Sequence, residues 1–496
     1  MKKEVLRIEG ITVEKDEIIY LDNLSLWIAE GEVLGLIAAN QHGLEELIDI
    51  ILENNPLRYG QVYFDGQLVN DYIRGGRGEN KVCVIDNRSR LIPELTVADN
   101  TFVLRKGFRK YVIDDKVLEK QVQQVLDELG TAVRADQLVR KLSAFERCVV
   151  ELIKAVMSGT KLIIIREISE MISYGDLQKF YQLINYYKEW GITFLYIGHH
   201  HEDVFQICTR FMLYESGEIV KIFYPEDMDE EHIAPFVQPI EEKSAAKRGS
   251  QNPVLELKEI TSRTIRELSC VAFSGECLTI LDKDHTILYD LVGILTGEGA
   301  ISRGEICLAG TAAFNQKQIR RMRDHILVVP ENPVRHYLFK DQSYLYNLCF
   351  QVDKKIGRSM IPKKVKQSII KEWQEQIGTY INAPDLSGLP IKALYDLVYY
   401  RVLLYRPRVA VLMQPFSGGD MYLRVHIANL IMKLKEKNIA VIVLTSYVAD
   451  ALAVTDQLVL VEGGRRVSEQ TMLDNQFIQN NYYKDRFVER TGKENK

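Results

Sequence analysis

The sequence is poor in the features that mark secreted, membrane-spanning and nucleic-acid-binding proteins. Its 496 residues include only seven cysteines and no CxxC pair, which argues against a disulfide framework or a zinc site and predicts buried free thiols in a reducing compartment. No stretch approaches the ~18 consecutive apolar residues of a membrane-spanning helix, and no apolar core of signal-peptide length follows the start. The net charge of −5 disfavours a general binder of nucleic acid or anionic membranes.

What the chain does have is an internal repeat. "GEVLGLI" begins at Gly31, and "GECLTIL" begins 244 residues later (275 − 31), at Gly275. Two further segments, "YGQVYFDGQ" and "RGEICLAGT", keep the same offset between Gly60 and Gly304. One offset shared by two strand-like landmarks indicates two tandem copies of one structural unit.

Each copy predicts an α/β domain. Continuous apolar runs such as "KLIII" (residues 161–165) are bounded by helical patterns, which is typical of parallel strands buried on both faces. A charged, proline-containing stretch between the copies predicts a linker. We therefore expect a first domain over residues 1–224, a linker over 225–253 and a second domain over 254–496.

Several segments resemble the ATP-binding subunits of ribose/galactose-type ABC sugar importers. They are "YLDNLSLWIAEGEVLGLI" (residues 20–37), "SRLIPELTVADNTF" (residues 89–102), "VRKLS" (residues 139–143) and "GHHHEDVFQI" (residues 198–207). The resemblance spans nearly the whole chain. It implies an α/β fold of two tandem ABC-type (P-loop NTPase-like) nucleotide-binding domains, each with a mixed sheet core and a helical subdomain.

The stretch "GLIAANQHGLEELIDII" (residues 35–51) holds the position of the family's first phosphate loop but departs from its chemistry. A working loop reads GxxxxGK[ST]: backbone N–H groups wrap the phosphates, the lysine neutralises them and the hydroxyl ligates Mg²⁺. Gly43 fits this pattern, whereas Asn40 lies within the loop, Leu44 replaces the lysine and Glu45 replaces the hydroxyl residue. We expect Glu45 and Glu46 to provide the negative charge that a helix N-terminus favours.

The second phosphate loop, over residues 282–289, contains no glycine. Thr286 lies within it, Leu288 replaces the lysine and Tyr289 replaces the hydroxyl residue. Asp282 and Asp284 add charge of the wrong sign for a triphosphate. By resemblance, neither loop is a plausible ATP cradle.

The strand end that should carry the Mg²⁺-binding Asp and the catalytic Glu is also changed. It reads Arg166 and Glu167 in the first copy, and Met413 and Gln414 in the second. Glu167 could still polarise a water molecule, but Arg166 places a cation where the resemblance requires a carboxylate.

Two of these positions would hold Mg²⁺ between them in a working site. In the first copy they are Glu45 and Arg166, so we hypothesise an ion pair that fills the vacated metal site; the alternative is two unrelated surface charges. In the second copy they are Tyr289 and Met413, which are expected to fill the space by packing.

The remaining motif positions are mixed. Asn87 stands at the Q-loop glutamine, with Glu331 near its counterpart in the second copy. Ser143 keeps the serine of the LSGGQ signature, and His199 stands at the switch histidine that senses the γ-phosphate. Glu167 and His199 are the vestigial catalytic candidates, and no metal site is expected.

The best-preserved wording lies outside the nucleotide motifs. The region Ser89 to Phe102 falls where the family receives the coupling helix of a membrane permease. We therefore expect a cytoplasmic chain, peripheral to the inner face of the membrane, in which ATP binding and hydrolysis are lost or severely weakened. It would act as pseudo-ATPase partner or regulator of a sugar-type importer. ATP with Mg²⁺ would be its cofactor only if a degenerate site still binds. The alternatives are a working ATPase that energises sugar import and a soluble scaffold with no permease.

Overall fold

The computed structural model describes residues 3–76, 78–86, 89–102, 115–198, 201–236, 252–352, 355, 361–447 and 449–471. The chain divides into two compact units, residues 1–238 with 420–422, and residues 239–419 with 423–496.

The first domain contains an antiparallel sheet in the order β2-β1-β4-β5 and a mixed sheet in the order β10-β9-β3-β8-β7-β6. β3 is buried along its whole length, as expected for a central parallel strand covered on both faces. The strands are β1 Glu4–Lys15, β2 Ile18–Ala29, β3 Val33–Ala38, β4 Tyr59–Phe64, β5 Gln67–Asp71, β6 Val82–Ile85, β7 Leu162–Arg166, β8 Thr193–Gly198, β9 Arg210–Glu215 and β10 Glu218–Phe223.

Helices cover this mixed sheet and build a separate helical cluster. The cluster has its own apolar core, formed by α2, α3 and α4 around side chains such as Val122 and Val150. The helices are α1 Leu44–Glu53, α2 Val97–Phe102, α3 Asp115–Glu128, α4 Ala144–Met157, α5 Tyr174–Glu189, α6 His201–Ile207 and α7 Glu230–Ile233.

The second domain repeats both sheets, in the orders β12-β11-β14-β15 and β16-β17-β18-β13-β19-β20. Its strands are β11 Pro253–Thr261, β12 Leu268–Phe273, β13 Cys277–Asp282, β14 Arg303–Leu308, β15 Thr311–Ala313, β16 Ile326–Val329, β17 Val409–Met413, β18 Ala440–Thr445, β19 Gln457–Glu462 and β20 Arg465–Thr471. Its helices are α8 Leu288–Thr296, α9 Gln316–Met322, α10 Pro333–His336, α11 Tyr344–Leu348, α12 Lys363–Ile377, α13 Ile391–Tyr405, α14 Met421–Glu436 and α15 Ala449–Leu452. Two sheet-based α/β domains with helices confirm the predicted fold class.

The start of the predicted linker is folded. Residues 225–236 form short helical turns, and Ile233 is 1% exposed within the core of the first domain. Phe236 contacts Phe223 edge-on, with ring centroids 5.6 Å apart. This apolar anchoring extends the first structural unit beyond residue 224, a contribution that the charged composition of the segment conceals.

Equivalent strands of the two mixed sheets are locked differently. In the first domain, Arg210 Nε donates to Glu32 Oε1 over 2.7 Å, and both side chains are buried. In the second domain, Gln457 Nε2 donates to Glu276 Oε2 over 3.0 Å. One domain therefore uses a buried ion pair where the other uses a neutral amide donor.

All seven cysteines are free thiols, and six of them are buried. No described helix is both long enough and apolar enough to cross a membrane.

Candidate functional site

The first loop is closed by packing around Gly43. The chain turns between the end of β3 and Leu44, and Gly43 has a φ of +75°, which glycine adopts at little cost. A β-carbon there would collide with the carbonyl oxygen of Tyr20 and lie 2.7 Å from the hydroxyl oxygen of Tyr214. Local packing therefore requires this glycine whether or not a phosphate binds.

Polar contacts fix the rest of this loop. Asn40 Oδ1 accepts hydrogen bonds from the backbone N–H groups of His42 (3.2 Å) and Ser216 (3.1 Å). The Tyr214 hydroxyl donates to the His42 carbonyl oxygen over 2.5 Å. The His42 ring stacks on Tyr20, with centroids 5.3 Å apart. These contacts hold the loop against β2 and against the turn between β9 and β10.

The two residues predicted to replace the motif lysine and hydroxyl, Leu44 and Glu45, lie in different environments. Leu44 is 1% exposed in the core, so its position faces the hydrophobic interior. Glu45 Oε1 lies 2.8 Å from Arg166 Nη1, with the glutamate side chain 65% exposed and the arginine 14% exposed. The predicted ion pair is present. Glu45 and Glu46 lie in the first turn of α1, where negative charge is favourable, and Glu46 pairs with Lys15 at 3.3 Å.

In the second loop, residues 282–289, the side-chain carboxylate of Asp282 accepts backbone N–H groups of the same loop. Asp282, at the end of β13, is fully buried, and its Oδ2 accepts the backbone N–H of Ile287 over 2.7 Å. Its Oδ1 accepts the N–H of Asp284 over 3.4 Å. Burial raises the pKa of Asp282 above its usual range, while the bond from Ile287 opposes that shift. A carboxylate thus accepts the loop N–H groups that face a phosphate in a working loop.

The third residue of each loop has the same anchoring role. Asp284 Oδ2 accepts the backbone N–H of Gly463 over 2.6 Å, in the turn between β19 and β20. Asn40 makes the equivalent bond to Ser216 between β9 and β10. The two loops therefore share a scaffold contact although their sequences differ.

The expected packing of Tyr289 against Met413 is wrong. Met413 is buried, but the Tyr289 side chain is 71% exposed. The Tyr289 hydroxyl donates to Glu331 over 3.4 Å, and Ser417 donates to the same carboxylate over 3.3 Å. Because the phenol keeps a polar partner at the surface, it does not fill the interior space. Thr286 is exposed in the loop, and Leu288 is buried like Leu44.

Glu167 and Gln414 occupy equivalent strained turns. Both are non-glycine residues with positive φ, +53° and +43°, directly after a central strand. Glu167 donates its backbone N–H to Ile197, and Gln414 donates its own to Leu444. Positive φ is uncommon outside glycine and is a feature of sites where the fold dictates a side-chain direction. Both domains thus have the same turn after this strand, with an acid in one and an amide in the other.

These residues do not fit a Mg²⁺-bound triphosphate. At the predicted places of the metal-binding hydroxyl and carboxylate, Glu45 and Arg166 form an ion pair with each other. Among the described residues, no three His, Cys, Asp or Glu side chains are grouped to hold a metal ion.

Comparison with known proteins agrees with the architecture. A family model described as "ABC transporter" matches residues 21–169. A ribose import ATP-binding protein of Caldanaerobacter subterraneus subsp. tengcongensis is 22% identical over 94% of this chain and 96% of its own length. An arabinose import ATP-binding protein of Burkholderia ambifaria is 24% identical over 94% of this chain and 91% of its own length.

The chain is a tandem ABC-type protein, homologous to ribose and arabinose import ATP-binding proteins. One solved structure, an archaeal ribosome recycling factor bound to a ribosomal stalk protein, superposes with a TM-score of 0.58. That likeness covers 95% of this chain and 92% of the solved chain at 16% identity, and it shows the fold alone.

In this tandem ABC-type protein, the surviving signature serine is used locally. Ser143 caps α4, and its Oγ accepts the N–H of Glu146 over 3.2 Å. Glu146 Oε2 in turn accepts the N–H of Ser143 over 2.7 Å, completing a capping box. Phe145, in a glycine place of the signature, packs on the apolar core.

The two ABC-type domains carry matching surface segments. In the first, the Asn100 amide accepts from and donates to the backbone of Ile92, which is 41% exposed. In the second, Asn347 makes the same pair of bonds to Phe339, which is 43% exposed. Each asparagine therefore fixes the backbone of a partly exposed apolar residue at the equivalent place.

Each of these segments is bound by a buried charged side chain, which is an acid in the first domain and an arginine in the second. Buried Glu151 accepts from the Ser89 hydroxyl (2.7 Å) and the Arg90 N–H (2.8 Å). In the second domain, fully buried Arg401 donates to the carbonyl oxygens of Asn347 (2.7 Å) and Tyr337 (2.9 Å). Sequence reasoning selected the first segment and missed the second, because Phe339 and Arg401 match no motif wording; the internal repeat is the signal that could have found them.

Asn87 and His199 lie outside the described residues. The anchoring role of Asp282 was also missed, although an aspartate at the first loop position was visible in the sequence.

Proposed function

We propose that this chain is a subunit of a sugar-type import system that docks on a membrane permease and does not hydrolyse ATP. The observation that carries the proposal is the occupation of both phosphate loops by groups of the chain itself, the Glu45–Arg166 ion pair and the Asp282 carboxylate. The chain would then act as a pseudo-ATPase partner or regulator at the inner face of the membrane.

Electrostatics in the first loop oppose a triphosphate. The family's lysine is replaced by Leu44, and Glu45 would lie beside the β- and γ-phosphates. Two like charges ~4 Å apart repel by about 4 kcal/mol at an effective dielectric of 20. Arg166 offsets this only by remaining paired with Glu45, which keeps it away from the nucleotide.

The second loop opposes a phosphate by occupancy. The N–H of Ile287 already donates to Asp282, a bond that phosphate would have to displace from a buried position. Displacing it would remove the shorter of the two backbone hydrogen bonds that a buried carboxylate accepts, at a cost of about 1–3 kcal/mol.

Permease docking is supported by the segment around Ile92 and by its second-domain counterpart. In each segment an asparagine fixes the backbone of an apolar residue whose side chain is partly exposed. The homologues are named as ATP-binding proteins of import systems, and such subunits serve a permease. This shared name also favours the second candidate, a working importer ATPase, for which Glu167 is the remaining acid.

Titration of the purified full chain with Mg·ATP, followed by thermal unfolding, tests the proposal. A ligand at 100 times its Kd stabilises a protein by ~2.7 kcal/mol, and we expect no shift at millimolar ATP. The homologous ribose import ATP-binding protein serves as positive control. A clear shift together with phosphate release that disappears in Glu167→Gln would establish the ATPase instead.

A further inference from the structure

A cavity in the second domain is lined by cations without a carboxylate. Its volume is ≈ 410 Å³, and its polar lining consists of Thr311, Gln318, Arg321, His325 and Arg408. It lies beside the edge strand β15 and the end of α9, and no residue of the loop 282–289 belongs to its lining. Within the described part of the chain, none of the side chains of Arg321, His325 and Arg408 has a hydrogen-bond or ion-pair partner.

The first domain shows how the same place is neutralised. Lys161 precedes β7 as Arg408 precedes β17, and Lys161 donates to Asp65 in the turn after β4. Lys3 pairs with the same carboxylate. The hydrogen bond from Lys161 is the main cause that holds the pKa of Asp65 below its usual range.

The second domain lacks this acid. Gly66 and Gly310 mark the repeat, so the residue equivalent to Asp65 is Ala309. The backbone agrees, because both residues have positive φ, +52° and +47°. Each also donates its N–H over 2.8 Å to a carbonyl oxygen in the first strand of its domain, Asp65 to Val5 in β1 and Ala309 to Val254 in β11. Exchanging aspartate for alanine removes the anion that would pair with Arg408.

We propose that this cavity binds a small molecule through a phosphate group. Arginine guanidinium groups present paired donors that match phosphate oxygens, and two arginines line the site with an imidazole, a hydroxyl and an amide. Leu308 adds an apolar wall. The volume lies in the range of small-molecule sites and leaves room for an organic body besides the phosphate.

The substitution Ala309→Asp tests this site directly, with Ala309→Asn as matched control. Both residues tolerate positive φ better than alanine, so both variants are expected to fold. Aspartate restores the first domain's internal anion, whereas asparagine has the same shape without the charge. Calorimetric titration of the full chain uses glycerol 3-phosphate as probe, glycerol as its uncharged counterpart, and phosphatidylglycerol vesicles to represent a lipid headgroup.

We expect saturable glycerol 3-phosphate binding with a Kd below about 1 mM. Ala309→Asp should weaken it by at least ~10-fold, about 1.4 kcal/mol, and Ala309→Asn by less than ~2-fold. Arg408→Gln should weaken it like Ala309→Asp, which keeps the test valid if the latter misfolds. Absence of binding, equal loss in both Ala309 variants, or binding to the vesicles alone would overturn the proposal.

Discussion

The two domains keep one backbone and differ in the chemistry placed on it. The strand order is the same in both domains, and so are the positive-φ turns at Glu167 and Gln414. The backbone hydrogen bonds of Asn100 and Asn347 also recur at equivalent places. At the same time, an ion pair closes one loop and a carboxylate closes the other. The difference teaches that the ABC-type scaffold is held by its core and turns, so that the two loops can be stabilised by unrelated side-chain contacts.

The largest expected contrast concerns the two contacts that join strands of the mixed sheets, Arg210 with Glu32 and Gln457 with Glu276. Arg210→Met leaves Glu32 buried without its cation, which should cost the first domain about 3–5 kcal/mol. Gln457→Met removes a neutral donor and should cost the second domain about 0.5–1.5 kcal/mol. Urea unfolding followed by tryptophan fluorescence can resolve the domains, since Trp27 and Trp190 report the first and Trp373 the second. Equal losses of unfolding free energy would show that the ion pair and the amide hydrogen bond contribute equally to the stability of their domains.

Removing the carboxylate of the second loop should have an intermediate effect. Asp282→Ala leaves the Ile287 N–H buried without an acceptor, at about 1–3 kcal/mol, whereas Asp282→Asn keeps an oxygen and should lose less.

The pH dependence of these variants gives an independent check. Because burial raises the pKa of Asp282, the folded state holds this proton more tightly than the unfolded chain. Its contribution is therefore most favourable below the ordinary carboxyl pKa of about 4 and declines as pH rises through the raised value. Unfolding of Asp282→Asn between pH 4 and pH 8 should lack this decline; an unchanged slope would contradict the assignment.

The ion pair of the first loop should contribute less. Glu45 is largely exposed, so a double-mutant cycle of Arg166→Ala and Glu45→Ala is expected to give a coupling of about 0.2–1 kcal/mol. The coupling should nearly vanish in 1 M salt, where the screening length is about 3 Å. The same cycle on Tyr289 and Met413 should give none. A coupling well above this range would mean that the pair organises the whole loop.

The smallest effect is expected at Asp65. Its pKa is lowered by the bonds from Lys161 and Lys3, so the contribution is present above the ordinary carboxyl pKa and lost as pH falls below it. Since these side chains are partly exposed, the loss of unfolding free energy on acidification should be only about 0.3 kcal/mol smaller in Asp65→Asn than in the wild type. Ala309→Asn should leave the acid limb unchanged. The readout is urea unfolding between pH 2.5 and pH 5.

Much of this molecule could be predicted from the sequence. The repeat offset and apolar runs predicted the paired domains, and family positions placed Glu45 beside Arg166. The position of Tyr289 could not be predicted, because its direction depends on Glu331, which lies 42 residues away in sequence. Likewise, charge alone suggested that Asp282 repels phosphate, whereas its hydrogen bond to Ile287 depends on the turn geometry. The cation cavity required knowing that Asp65 reaches Lys161, a contact between distant segments.

Gly43 carries a practical consequence for how such chains are recognised. A search that scores glycines would count this residue as a remnant of nucleotide binding, yet Tyr20 and Tyr214 leave no room for any side chain there. The next residue has a different constraint: Leu44 is 1% exposed, so a lysine at this position would enter the apolar core. Of the two contacts at Gly43, a side-chain change could relieve only the one with the Tyr214 hydroxyl, because the contact with Tyr20 is to its backbone carbonyl oxygen, so a glycine here reports how the chain packs and not what it binds.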